Sequence, residues 1–479
     1  MVKRRKVLAS FVFYPILVLL MMGTLLVVDG LSQTKVLGPI KEVKQPSYGE
    51  FENFTIVSYS DLDGWDEPTE IRVSQDGKYA FTAHNPPKQL GASIIDISKP
   101  DKPRVVGRIE GPSSTHSQYV DVLGNILVRN QEKVRGVKPE PKTWEPGIRL
   151  YNISDPAKPR EVGFFKSDDT PGLGVHGFWL HEDPKQGKFA FLATSKQGYF
   201  GNILVIVDIN DPSKPREVSR WWYPGTWTAG GEKPGENWIG QGGLGAKGGL
   251  PNIWVYLHDI TVYKDRAYLS YRDQGVIILD ISDITKPTML SQIKWSPPEE
   301  GNTHSIGVVV PEHGGRPDLI IAADEVTRIC PWGYMHIIDV RNERNPVQVA
   351  TFRLPLNRVC PPGRPGERFG IHDIDRMIRG NIVFGAWENS GLWAVDISDP
   401  HQPKSAGYFV PPPGVRANLD YGHADDVFVH SNGLIFATSS DPGGGFWILK
   451  YTPGVKGTVS WRPDKKGIVV KYQKGSRSK

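Results

Sequence analysis

Residues 204–218 read LVIVDINDPSKPREV: an apolar, β-branched run, an aspartate, then Asp-Pro and Lys-Pro steps before a second run. The first run suits a buried strand. Proline has no N–H to give a strand ladder, so the two proline steps fix a turn between two strands. The pattern returns along the chain as SIIDISKPDKPRVVG with Asp96, IRLYNISDPAKPREVG with Asn152, VIILDISDITKPTML with Asp280, MHIIDVRNERNPVQVA with Asp339 and LWAVDISDPHQPKSAG with Asp396. A degenerate copy, GFWILKYTPG, places Lys450 there, and the spacings are 56, 56, 72, 59, 57 and 54 residues. A strand-rich repeat of this length without helical periodicity predicts a β-propeller.

Each repeat reads as four strands. In the third, VHGFWLHE and KFAFLAT precede ILVIVDI, the NDPSKP turn and the outer strand REVSRWW. Seven such units fit, with first strands beginning near Glu70, His116, His176, His258, His304, His372 and His423. The seventh ends after its third strand, and an unassigned strand, NFTIVSYSDL (53–62), precedes the first. The N-terminal strand is therefore expected to complete the last blade, which leaves no edge strand exposed. The expected fold class is all-β, a seven-bladed β-propeller behind an N-terminal transmembrane helix. The divisions are a basic stub and anchor (1–28), a linker (29–50), the propeller (51–450) and a basic C-terminal tail (451–479).

These LVIVD-I-x-D-P-x-K-P units resemble those of the LVIVD-repeat proteins, and the resemblance spans about residues 51–450. It implies a seven-bladed propeller, typically exported or surface-attached, and implies little about chemistry, because propellers host many functions. A more distant likeness is to propeller metalloenzymes that hold iron or copper with axial histidines, of the methanethiol oxidase/selenium-binding and carotenoid oxygenase types.

With the repeats aligned, six of the 12 histidines open a first strand: His116, His176, His258, His304, His372 and His423. In the first repeat Glu70 holds that place. First strands line a propeller's channel, so the six imidazoles and one carboxylate are expected to ring the axis as a transition-metal site. Imidazole suits iron or copper first, with zinc, manganese or nickel as alternatives. Asp259, Asp373, Asp375 and Asp425 follow ring histidines and are candidates to orient them. Arg272, Asp324, Glu325 and Glu388 end second strands and are candidates for substrate contacts. A second reading makes the histidines structural, since WD-repeat propellers carry a recurring Gly-His that packs within its own blade, and YGH at 423 resembles it. His84, His181, His313, His336, His401 and His430 read as ordinary packing or surface residues.

The N-terminus carries Lys3-Arg4-Arg5-Lys6, then 22 uncharged residues from Val7 to Val28, enough to span a bilayer. Basic residues stay on the cytoplasmic side, so the propeller is expected in the periplasm or outside the cell. The two cysteines, Cys330 in RICPWG and Cys360 in RVCPPG, are expected to form a disulfide there. A net charge of +5 over 479 residues is no nucleic-acid signature. No Gly-x-Ser-x-Gly motif appears, which argues against a covalent hydrolase. The Gly- and Trp-rich insertion 225–254 and the shorter insertion 131–147 are candidate lids, with Trp227, Trp238 and Trp254 as an apolar wall. The functional expectation is a membrane-anchored metal-dependent oxidoreductase acting on a small organic or sulfur compound. The alternatives are a non-catalytic scaffold or adhesion module with protein partners, and a metal-assisted lyase or hydrolase.

Overall fold

The computed structural model describes residues 48–84, 90–112, 115–133, 145–168, 173–241, 252–295, 301–325, 333–355, 369–417 and 422–473. The stub and anchor, Cys330 and Cys360 lie outside them. Among the described residues no helix is long and apolar enough to cross a membrane.

Strands dominate, and apart from the parallel pair Trp238–Ile239 with Ile253–Trp254 and the parallel pairing of Met377–Ile378 with Thr303–Val309, those described fall into seven antiparallel units. Five are sheets of their own, whose strands pair in chain order from the axis outward, as in Val175–Asp183, Gly187–Ser195, Asn202–Asp208 and Arg216–Trp221. The last two are joined in one eight-stranded sheet by the N-terminal strand Gly49–Ser60. One end of this strand pairs with Lys404–Val410 of the sixth blade, and Phe54–Ser60 pairs with the third strand of the seventh. The strand begins at Gly49, inside the stretch read as linker. At the other end the chain does not stop at 450 in a tail. Gly445–Trp461 runs on as one strand and pairs with Ile468–Tyr472. Its alternating apolar residues explain the extension, because Val459 is buried in the same cluster as Phe51 and Trp461 packs against that cluster.

Apolar side chains on both faces of each sheet pack against the adjacent sheets. Phe436, Phe446 and Ile448 of the seventh blade join Ile71, Ala80 and Ile95 of the first in one cluster, which closes the ring. The innermost strands also touch in a circle, with Pro68–Val73 lying against both Val120–Leu123 and Val427–Val429.

The repeated turn has two physical tasks. Its leading carboxylate closes the turn by accepting the N–H two residues on: Asp96 from Ser98 at 3.0 Å, Asp208 from Asn210 at 2.9 Å and Asp396 from Ser398 at 2.8 Å. Asn152 does the same with its amide oxygen at 2.9 Å, so the replacement keeps the turn's hydrogen bond. The residue four places after it then docks its carbonyl on the fourth strand of the preceding blade. Pro100 O accepts from Ser58 Oγ at 2.6 Å, Ile284 O from Ser219 at 2.6 Å and Glu343 O from Ser291 at 2.5 Å. Where the partner is glycine, the space itself is needed: a Cβ on Gly107 would overlap the Pro156 carbonyl, and one on Gly163 the Pro212 carbonyl. Ala350 and Gly407 hold the matching places in the fifth and sixth blades, so all seven fourth strands carry a small residue there. Replacing Gly163 with valine is expected to destabilise the fold by about 1–3 kcal/mol through overpacking. Chemical denaturation would show a lower midpoint with the same far-ultraviolet circular dichroism at zero denaturant.

Candidate metal centre

The histidines open the first strands, and the candidate acidic residues end the second strands beside them. Antiparallel pairing brings these two places to one end of the axis. There the rings of His176, His258, His304 and His372 form a continuous row, with centroids 4.2, 4.0 and 4.4 Å apart. His258 and His304 are fully buried. Burial, then the Arg272 charge for His258 and the His372 charge for His304, hold both well below the ordinary imidazole pKa, which keeps them neutral with lone pairs to offer.

Carboxylates back the row. Glu132 at the end of a second strand accepts His176 Nδ1–H, with both oxygens at 3.0 Å. That fixes the His176 tautomer and leaves Nε2 bare, facing His258 Nε2 at 2.6 Å. A neutral His258 with its proton on Nε2 answers that lone pair with a hydrogen bond, and a cation would answer it in the proton's place. Glu325 lies 3.4 Å from His304 Nε2 and 2.9 Å from Arg272 Nη1. One donor atom from each of His258, His304 and Glu325 fits within a 4.8 Å span. His372 Nδ1 donates to the Asp425 carbonyl at 3.0 Å and approaches Asp373 Oδ2 at 3.1 Å. Burial opposes its charge, but Asp425 and Asp373 raise its pKa well above the ordinary value.

The two end histidines are held differently. His423 engages both nitrogens, Nδ1 with Asn389 Oδ1 at 3.1 Å and Nε2 with Asp425 Oδ1 at 3.2 Å. His116 sits 3.4 Å from Glu132 and takes the Gln118 amide. Although burial works against it, Glu132 is drawn down to about 2 by His176 and His116.

Glu70 is not brought to the imidazoles. Its carboxylate sits 2.7 Å from Arg72 and 3.2 Å from Arg376, in a buried ionic layer deeper along the axis. Arg376 crosses the axis to Asp259 at 2.5 Å and Asp373 at 3.0 Å. Asp259 therefore serves the arginine, and Asp373 alone links the two layers. Asp375 points away from the histidines and accepts Val429 N–H of the next blade at 3.4 Å. Asp324 is spent on packing. It accepts from His336 at 2.7 Å and from Trp295 at 3.1 Å, and those two rings stack at 3.8 Å. Glu388, fully buried, accepts Gly370 N–H at 3.2 Å.

Glu132 is the acidic group at the row that the histidine alignment left out; its signal was its place at the end of a second strand in VRNQE. Gln241 of the glycine-rich insertion also reaches it, donating to Glu132 Oε1 at 2.5 Å. The insertion's tryptophans do not make a single wall. Trp227 stacks on Tyr199, Trp238 lies against Tyr223 and Phe200, and Trp254 against Tyr256.

The family scan matches the LVIVD repeat at residues 186–221, 256–294 and 375–409, within the third, fourth and sixth blades. Among solved structures, the RRP9 WD40 repeats superpose with a TM-score of 0.52 at 9% identity, covering 83% of this chain and 97% of that one. U3-55K gives 0.49 at 10% identity over 83% of this chain and 98% of that one. A functionally unknown protein from Desulfotomaculum acetoxidans gives 0.44 at 12% identity over 71% of this chain and 84% of its own length. No curated protein sequence matches the chain. The fold is that of a β-propeller. The chain carries LVIVD repeats within it.

Burial raises the Asp375 pKa to about 6. A carboxyl raised above its unfolded value near 3.9 contributes stability at low pH and loses it as pH climbs through about 6. Between pH 5 and 8 the wild-type chain is expected to lose about 1 kcal/mol more than Asp375→Asn. Denaturant midpoints across that range measure the difference.

Proposed function

We propose that this chain is a membrane-anchored, extracytoplasmic seven-bladed propeller that holds a transition-metal ion at the histidine end of its axis. The observation that carries the reading is the row His176, His258, His304 and His372, with two neutral buried imidazoles at its centre and a carboxylate fixing one flank. The donors fit a metal: His258 Nδ1 and His304 Nδ1 are buried without a hydrogen-bond partner among the described residues, and His176 Nε2 faces His258 Nε2 at 2.6 Å with its lone pair. His176, His258, His304 and Glu325 would supply the ligands, while Glu132 and Arg272 orient His176 and Glu325. Iron or copper suits an imidazole-rich, thiolate-free set, with zinc, manganese or nickel as alternatives, and the bound ion would supply Lewis-acid or redox chemistry. An oxidoreductase acting on a small organic or sulfur compound is the activity this supports. The uncharged run from Val7 to Val28 behind four basic residues supports the anchor.

Elemental analysis of the purified chain is expected to find a transition metal near one equivalent. His258→Ala and His304→Ala should each remove most of it, and Glu132→Gln should weaken affinity about 10–100-fold. A metal-free wild-type chain that stays so after reconstitution with each candidate ion would sink the reading. The row would then be a structural feature of a binding module.

A further inference from the structure

A cavity of about 710 Å³ opens at the opposite end of the axis from the histidines. Its walls are the hairpin tips that follow the first strands of the first two blades, with Trp179, Met377 and Phe428 from the first strands of three others. The ionic layer built on Arg376 separates it from the histidine row, so it is a second site with its own entrance.

The lining combines aromatic faces with buried carboxylates. Tyr79, Trp179 and Phe428 supply the rings, and Asp121 and Asp375 reach the cavity as 9% and 4% exposed carboxylates. Among the described residues Asp375 makes no ion pair, and Asp121 comes only within 3.9 Å of Arg72. Arg72 and Arg376 also touch the cavity, but both are already engaged from behind. Arg72 holds Glu70 at 2.7 Å and Asp426 at 3.3 Å, and Arg376 holds Glu70, Asp259 and Asp373. Six buried carboxyl groups (Glu70, Asp121, Asp259, Asp373, Asp375 and Asp426) thus surround two guanidiniums, and burial raises Glu70 well above the carboxylate range and Asp426 to about 7, so the excess is smaller than that count. A low-dielectric floor with excess negative charge and aromatic walls favours a cation with an apolar body. Arg379 at the mouth is exposed, so water and salt screen its opposing charge.

We propose that this axial cavity binds a small organic cation, a primary amine on a flat apolar body, with the ammonium toward Asp375 and Asp121 and the body against Trp179 and Phe428. The site does not depend on a metal at the histidine row.

Calorimetric titration of the full chain with phenethylamine, 2-phenylethanol and 3-phenylpropionate tests this, before and after EDTA treatment, since an amine also coordinates metals. Phenethylamine is expected to bind one site at least tenfold tighter than the alcohol, identically in both preparations, with no saturable binding of the acid. Asp375→Asn and Trp179→Ala should each weaken the amine about tenfold or more in protein that still melts cooperatively. Phe428→Ala replaces either variant that fails to fold. Equal binding of amine and alcohol, preferred binding of the acid, no amine binding, loss of binding with EDTA, or unchanged affinity in the folded variants would each overturn the proposal.

Discussion

One contact recurs in the turns led by Asp96, Asn152, Asp208, Asp280 and Asp339 and sets the spacing of those blades: the carbonyl four residues after the turn's leading Asp or Asn, seated on a small residue of the preceding blade's fourth strand. The turn is rigid because proline and an aspartate side chain close it locally. It therefore carries its carbonyl to the same place in each blade. Glycine and serine answer it in different ways, by leaving room or by donating a hydroxyl hydrogen. Ser58 on the N-terminal strand makes the same bond to the first blade's turn, so the contact spans the junction where the chain's two ends meet.

With the blades held at constant spacing, positions equivalent in sequence become neighbours around the axis. That geometry compresses histidines about 50–80 residues apart into rings about 4 Å apart. It also creates an electrostatic problem. A dry axis filled with carboxylates and imidazoles is unstable unless the charges are partnered. The molecule answers with two layers. Imidazoles, with His258 and His304 held neutral by burial, occupy one end, and Arg72 and Arg376 gather carboxylates in the middle. Asp373 touches both layers, which couples the charge of one to the other.

The two ends of the axis therefore differ in chemistry. One offers lone pairs from nitrogen, the donor type a transition metal takes. The other offers aromatic faces and carboxylates around an open cavity. Arg376, reaching from the sixth blade to acidic groups of the first and fourth, keeps these ends distinct.

The repeat, the seven units and the histidine alignment were legible in the sequence because each follows from a local rule: proline ends a strand, alternation buries one face, and equal spacing stacks equal units. A register rule cannot say which way a side chain's charge is answered. Glu70 occupies the histidines' place in the first repeat, yet Arg72 two residues on and Arg376 from the sixth blade draw it into the ionic layer. Glu132 lies outside that alignment and still sits on His176, because antiparallel pairing brings the end of a second strand beside the start of a first. The cavity likewise exists only where hairpin tips of separate blades converge. Strand order and repeat length were set by the sequence alone. Which charges meet on the axis was decided by tertiary structure, since electrostatic partners are chosen by distance in space and low dielectric, and neither is written in the order of residues.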